Sequence, residues 1–187
     1  MNTLIEKKTV NGIDTAHLRE AIAEVAEDAT KGQTQWHAAT HWTGGTRSDT
    51  HISRVFIGGK RIAKDFHIQV DEPVELGGTN QAPNPQETLL AALNSCMIVG
   101  YAAGCALEGI ELEELRIEAE GDIDLRGFLQ IDPSVSPGYD QIRYTVHVKG
   151  SGTPEQFERV HQTVMATSPN YFNLSNAVQL KARLVVK

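Results

Sequence analysis

Two cysteines, an arginine just after a glycine pair and a glutamate near a proline are the residues of this 187-residue chain best suited to chemistry. A thiol has a pKa of about 8.5 and attacks electrophiles only as the thiolate, which needs a positive neighbour or donors around it. Cys96 and Cys105 both lie in PQETLLAALNSCMIVGYAAGCALEG, residues 85–109, where positions 88–107 carry no charge. Two readings of Cys96 stand side by side. It is a nucleophile where the fold brings it a cation, and a small buried hydrophobe where it does not. Its own helix cannot supply the charge, because the dipole's effect fades within the first turn and Cys96 lies about three turns in. Cys105 reads as core packing. Nine positions further on, it is about 13 Å away along the axis, and a disulfide needs Cα atoms within roughly 7 Å. Arg47, in Thr43-Gly44-Gly45-Thr46-Arg47, reads on its own as a surface arginine at a turn, and Glu87 as a capping carboxylate three residues after Asn84.

Other chemistries find less support. Of the seven histidines, His37 and His41 fall on one face of a strand but about 13 Å apart, too far to share an ion, and neither cysteine has a histidine nearby. No metal site and no cofactor are expected. Gly77-Gly78 lacks the spacing of a phosphate-binding loop, and no nucleophile elbow is present.

The elements that must position these residues follow from patterning. Asn84, Pro85 and Glu87 open a helix and Gly109 stops it, giving a rod roughly 35 Å long. Its sides are all apolar or small, so protein should surround it. A membrane span is set aside, because Asn94, Ser95, Gly100 and Gly104 dilute the run and no Lys or Arg anchors its ends. Before it, residues 14–29 pattern as an amphipathic helix. Runs 34–42, 51–57 and 61–70, separated by Gly44-Gly45 and Gly58-Gly59, pattern as a three-stranded antiparallel meander. After it come alternating strands over 115–125 and 142–148, with a loop at 132–138 between them. A helix over 154–167 capped by Thr153, a polar aromatic connection over 168–176 and a last strand over 178–186 complete the chain. The fold class is α/β (α+β), one domain over 32–187 preceded by a helical extension over 1–31. A net charge of −7 without a basic cluster argues against nucleic acid and anionic membranes as partners. With no secretory pattern at the start, a cytoplasmic protein is expected.

Three stretches, Leu76-Gly77-Gly78, Asn84-Pro85-Gln86-Glu87 and Leu89-Leu90-Ala91-Ala92-Leu93-Asn94-Ser95-Cys96, together resemble the OsmC/Ohr family (osmotically inducible protein C and organic hydroperoxide resistance protein). The likeness, including element order, covers roughly residues 36–187. It implies antiparallel sheets around a long buried central helix, in an intertwined homodimer with active sites at the subunit interface. It also implies thiol-dependent reduction of organic hydroperoxides, in defence against oxidative stress. Cys96 matches the reactive cysteine, Arg47 the arginine that lowers its pKa, and Glu87 the glutamate that orients the arginine. Antiparallel packing of two central helices would bring one subunit's Arg47 and Glu87 to the other's Cys96. Gly100 and Gly104 would permit close approach, either there or of neighbouring strands.

The chain departs from the family pattern at three points. Gln86 stands directly after the proline and Glu87 follows it. Arg47 comes one residue later than in Gly-Gly-Arg. Ser168-Pro169 stands where the peroxidases have a second cysteine before a proline, so Cys96 would depend on an external thiol reductant. The expected partners are therefore a second copy, a hydroperoxide or small apolar ligand, and that reductant. A rival reading is a non-catalytic binding protein on the same fold, with Trp36, Trp42, Tyr101, Tyr171 and Phe172 lining an apolar pocket. A third is an interaction protein with inert thiols.

Overall fold

The computed structural model describes residues 9–187. It forms two compact units, one ending at Ala91 and one comprising Ala92–Lys187.

The first unit begins with a hairpin of β1 (Thr9–Val10) and β2 (Ile13–Asp14), turned by Asn11 and Gly12, both at positive φ. The Asp14 carboxylate then accepts the backbone N–H groups of Ala16 and His17 and starts α1 (Thr15–Glu27). The helix lies within the expected span, yet its apolar positions Ile22 and Val25 remain exposed.

The expected strand over 34–42 is broken at His37 and Ala38 into β3 (Thr34–Trp36) and β4 (Ala39–Gly44). Both pair with β5 (Arg47–Ile57), Trp36 opposite Val55 and Ala39 opposite His51, while β6 (Lys60–Val70) pairs with β5 separately. The result is the expected antiparallel meander with an interrupted first strand. Gly58 and Gly59 form the β5–β6 turn at φ 54° and 75°, where a side chain would be strained.

The central helix, α2 (Pro85–Leu107), starts and stops as its sequence requires. Glu87 accepts the Asn84 N–H at 2.7 Å and Asn84 Oδ1 accepts the Glu87 N–H at 2.8 Å, a reciprocal capping box. At the other end, Gly109 at φ 73° lets Ile110 N–H reach the Cys105 carbonyl and Gly109 N–H reach Ala106, a Schellman stop. By length and composition α2 would also pass as a membrane span. Burial all round, expected from its composition, is not met in one chain: Leu93, Met97, Tyr101 and Cys105 form a buried stripe, whereas Val99 is 68 % exposed.

That stripe is the heart of the second unit. It packs with Ile110, with Ile117 of β7 (Leu112–Gly121), and with Val146 of β8 (Ile142–Gly150). β7 and β8 form an antiparallel pair, with Ile117 opposite Val146. The first strand ends earlier than its alternation suggested. Asp124 accepts the Arg126 N–H and turns Leu125–Phe128 into a short helix, α3, so Ile123 and Leu125 leave the sheet. Thr153 and Gln156 make a capping box at the start of α4 (Pro154–Thr167). Val160 and Val164 of α4 seat directly on Gly104 and Gly100; a Cβ at either glycine would lie only 3.1 or 3.2 Å from a valine methyl. These glycines therefore admit the chain's own helix α4, rather than a strand.

Two expectations for the C-terminal part are corrected. The connection over 168–176 contains a helix, α5 (Pro169–Ser175), because Ser168 accepts the Tyr171 N–H and Pro169 suits the first helical position. The strand over 178–186 does not form. A strand needs a neighbouring edge to hydrogen-bond, and residues 177–187 have no regular structure in this single chain. Their alternate apolar side chains are left in solvent, Leu180 and Leu184 at 92 % and 87 % exposure.

Candidate active site

Cys96 follows the same four-residue spacing as Gly100 and Gly104, so it faces the side of α2 on which α4 packs. The thiol is partly exposed. Where α4 ends and α5 begins, the Ser168 hydroxyl donates to Cys96 Sγ at 3.3 Å. Ser168 is itself only 5 % exposed and its oxygen also accepts from Tyr171 N–H, so the hydroxyl is held by the α5 start and not by chance rotamer choice. Asn170 reinforces the junction by donating to the Ala92 carbonyl, one turn before Cys96. The Ser168-Pro169 step thus lies against the candidate nucleophile. Within residues 92–187 no arginine or lysine hydrogen-bonds the sulfur.

Cys105 is fully buried, and burial pushes its thiol up, with Glu108 adding to the shift. It is core packing, as expected.

Arg47 and Glu87 belong to the first unit. Arg47 opens β5 immediately after the Gly44-Gly45-Thr46 turn and lines a cleft of about 220 Å³ with Asp49, Gln69, Asp71 and Gln81. Among the described residues no carboxylate lies within salt-bridge distance of its guanidinium. Glu87 does not orient it within this unit; the Glu87 carboxylate is engaged in the α2 cap.

The turn carrying Arg47 is fixed by an aspartate just past the end of β6. Asp71, 1 % exposed, accepts from the Thr46 and Thr79 hydroxyls, both at 2.6 Å, and from the backbone N–H groups of Glu72, Thr79 and Gln81. The Thr46 hydroxyl, then Thr79, hold its carboxyl far below the usual carboxylate range. The local signal was an aspartate entering a Gly/Pro/Asn-rich loop that offers several free N–H groups.

The second unit also carries a cleft of about 480 Å³ lined by Tyr101, Tyr144, Val146, Phe157 and His161. Burial pushes the Tyr101 phenol up, and its hydroxyl shares a hydrogen bond with His161 Nδ1. Of the aromatic residues considered for a ligand pocket, Tyr101 is in the core, Tyr171 packs edge-on against Tyr144, and Trp36 and Trp42 are largely exposed.

The sequence profile described as OsmC-like protein matches residues 78–183, more than half of the chain. The chain belongs to the OsmC-like family. Solved structures agree on the fold. An OsmC-like protein from Mycoplasma pneumoniae matches at a TM-score of 0.59 with 13% identity, over 75% of this chain and 87% of that one. An OsmC-like protein of unknown function from Vibrio cholerae matches at 0.53 with 15% identity, over 73% and 91%. In sequence, the uncharacterized protein YmaD of Bacillus subtilis is 38% identical over 53 residues, 28% of this chain. That stretch spans about a third (35%) of YmaD.

Proposed function

We propose that this OsmC-like protein reduces organic hydroperoxides through Cys96, as a cytoplasmic homodimer acting in oxidative-stress defence. The observation that carries the reading is the 3.3 Å contact between Ser168 Oγ and Cys96 Sγ. It sets a partly exposed thiol against the place where a resolving sulfur would stand. The Cys96 thiolate attacks the distal oxygen of ROOH; the S–O bond forms as the O–O bond breaks, and the leaving alkoxide takes a proton to become ROH. Cys96 is left as sulfenic acid. Ser168 cannot form a disulfide, so an external thiol condenses with the sulfenic acid, releasing water, and a second thiol frees Cys96.

The cation for the thiolate comes, on this reading, from the partner's Arg47, whose guanidinium has no carboxylate partner among the described residues of its own chain. Two features favour a second copy: the exposed Val99 side of α2 and the unpaired alternating segment over 177–187. Residues 32–187 would form the OsmC-like domain, with 1–31 an added segment.

The test is consumption of cumene hydroperoxide supported by a small dithiol, with mass spectrometry of the oxidised protein. An oxygen adduct or mixed disulfide on Cys96 supports the reading; turnover undiminished in Cys96→Ser sinks it. The 480 Å³ cleft beside Tyr101 keeps a second reading in play, a binding protein for a small apolar ligand without turnover. Saturable ligand uptake by a chain whose Cys96 resists peroxide would select it.

A further inference from the structure

Two histidines far apart in sequence meet across the β5–β6 ladder. His51 and His67 are directly paired in register, and their rings stack with centroids 4.7 Å apart and planes within 11°. Two carboxylates flank them: Asp65 Oδ1 lies 2.9 Å from His51 Nε2 and 4.0 Å from His67 Nε2, and Asp49 Oδ1 lies 2.8 Å from His67 Nδ1. One ligand atom each from His51, Asp65 and His67 can be chosen so that all lie within 4.8 Å of one another.

We propose that His51, His67 and Asp65 bind a zinc ion. Zinc takes imidazole nitrogen and carboxylate oxygen at about 2.0–2.2 Å in tetrahedral geometry, which sets neighbouring ligand atoms about 3.3 Å apart. The two Asp65 separations, 2.9 and 4.0 Å, bracket that value, so rotamer adjustment closes the site and leaves the fourth position to water. Asp49 supplies what a lone histidine pair lacks. By accepting the Nδ1–H of His67 it fixes the tautomer with the Nε2 lone pair directed outward, as carboxylates behind zinc-bound histidines do. On binding, the proton shared between His51 Nε2 and Asp65 gives way to the metal and His51 carries its proton on Nδ1. With both rings neutral, the two carboxylates balance the charge of a divalent ion.

The alternative is a pair of His–Asp hydrogen bonds on a polar face, with no metal. Burial by a second copy does not separate the two readings. Side chains alternate across a strand, so Phe66 and Ile68, exposed at 62 % and 44 %, lie on the opposite face from Asp65 and His67. Covering that apolar face leaves the histidine side open. The expectation of no metal site weighed His37 with His41 and the absence of a histidine near either cysteine in sequence, whereas pairing between strands brings in His51 and His67.

The experiment is calorimetric titration of the chelator-treated full chain with zinc chloride. One zinc per chain is expected, with affinity lowered at least about tenfold by His51→Ala or His67→Ala and about tenfold by Asp49→Asn. Cys96→Ser and His37→Ala should leave binding unchanged. Independently of any variant, zinc should shift the imidazole NMR signals of His51 and His67 and no others. No uptake below millimolar zinc, uptake surviving the His51→Ala/His67→Ala double change, or shifts confined to other histidines would each overturn the proposal.

Discussion

The Ser168 hydroxyl donates to the sulfur of Cys96 across 3.3 Å, and both atoms are placed by the same junction of α4 and α5 against α2. Ser168→Cys would set a second sulfur within reach of the first. Peroxide should then convert the variant to an intramolecular disulfide, a loss of two hydrogens by mass, where the natural chain stops at a sulfenic acid or mixed disulfide. Dependence on the concentration of added thiol should fall correspondingly. A variant still isolated as the mixed disulfide would show that the two side chains cannot meet.

The two thiols should behave differently. Cys96→Ser is expected to abolish peroxide consumption, while Cys105→Ser leaves the rate within about twofold and lowers stability by about 1 kcal/mol through imperfect packing and a buried hydroxyl. Alkylation with iodoacetamide in the folded state should mark Cys96 alone, since Cys105 is fully buried. Equal labelling of both would remove the distinction.

Arg47 carries a prediction about rate without stability. Its side chain is exposed and makes no salt bridge among the described residues, so Arg47→Ala should leave the Tm unchanged. If the guanidinium stabilises the reacting sulfur and leaving oxygen, kcat/KM falls by about 10²-fold, and Arg47→Lys restores it only in part. Full activity in Arg47→Ala would assign the stabilising charge elsewhere.

Asp71 predicts acid sensitivity. Its folded carboxyl titrates well below the unfolded value of about 3.9, held there first by Thr46 and then by Thr79. Near neutral pH the group is ionised in both states and its stabilisation is fully present. As pH falls through about 4, the unfolded chain binds the proton first and that stabilisation is progressively lost. Asp71→Asn should therefore lower the Tm at pH 7 by several degrees and flatten the decline below pH 4. Parallel melting curves for the two proteins across that range would contradict this.

What could be read from the sequence was local. The boundaries of α2 follow from Asn84, Pro85, Glu87 and Gly109, each acting within a turn of its own position, and the Thr153 cap and Gly58-Gly59 turn are equally short-ranged. That β7 and β8 are strands was visible in alternation alone. Ser168 also stood out in the sequence, through the Pro169 that follows it. What escaped depends on contacts made at distance: five donors converging on Asp71, the valines of α4 filling the notches at Gly100 and Gly104, and His51 facing His67. The missed helix at Pro169–Ser175 is a different case, because its cap and proline were in plain view but its aromatic composition read as a connection.

The bare tail over 177–187 has a consequence for handling the molecule. Alternate apolar residues without a ladder are a template that will join whichever edge it meets, so a lone chain is adhesive until the right edge arrives. Melting should accordingly be a second-order affair, with the midpoint climbing as the sample is concentrated. Clipping the last ten or so residues should yield a weaker chain that no longer responds to dilution.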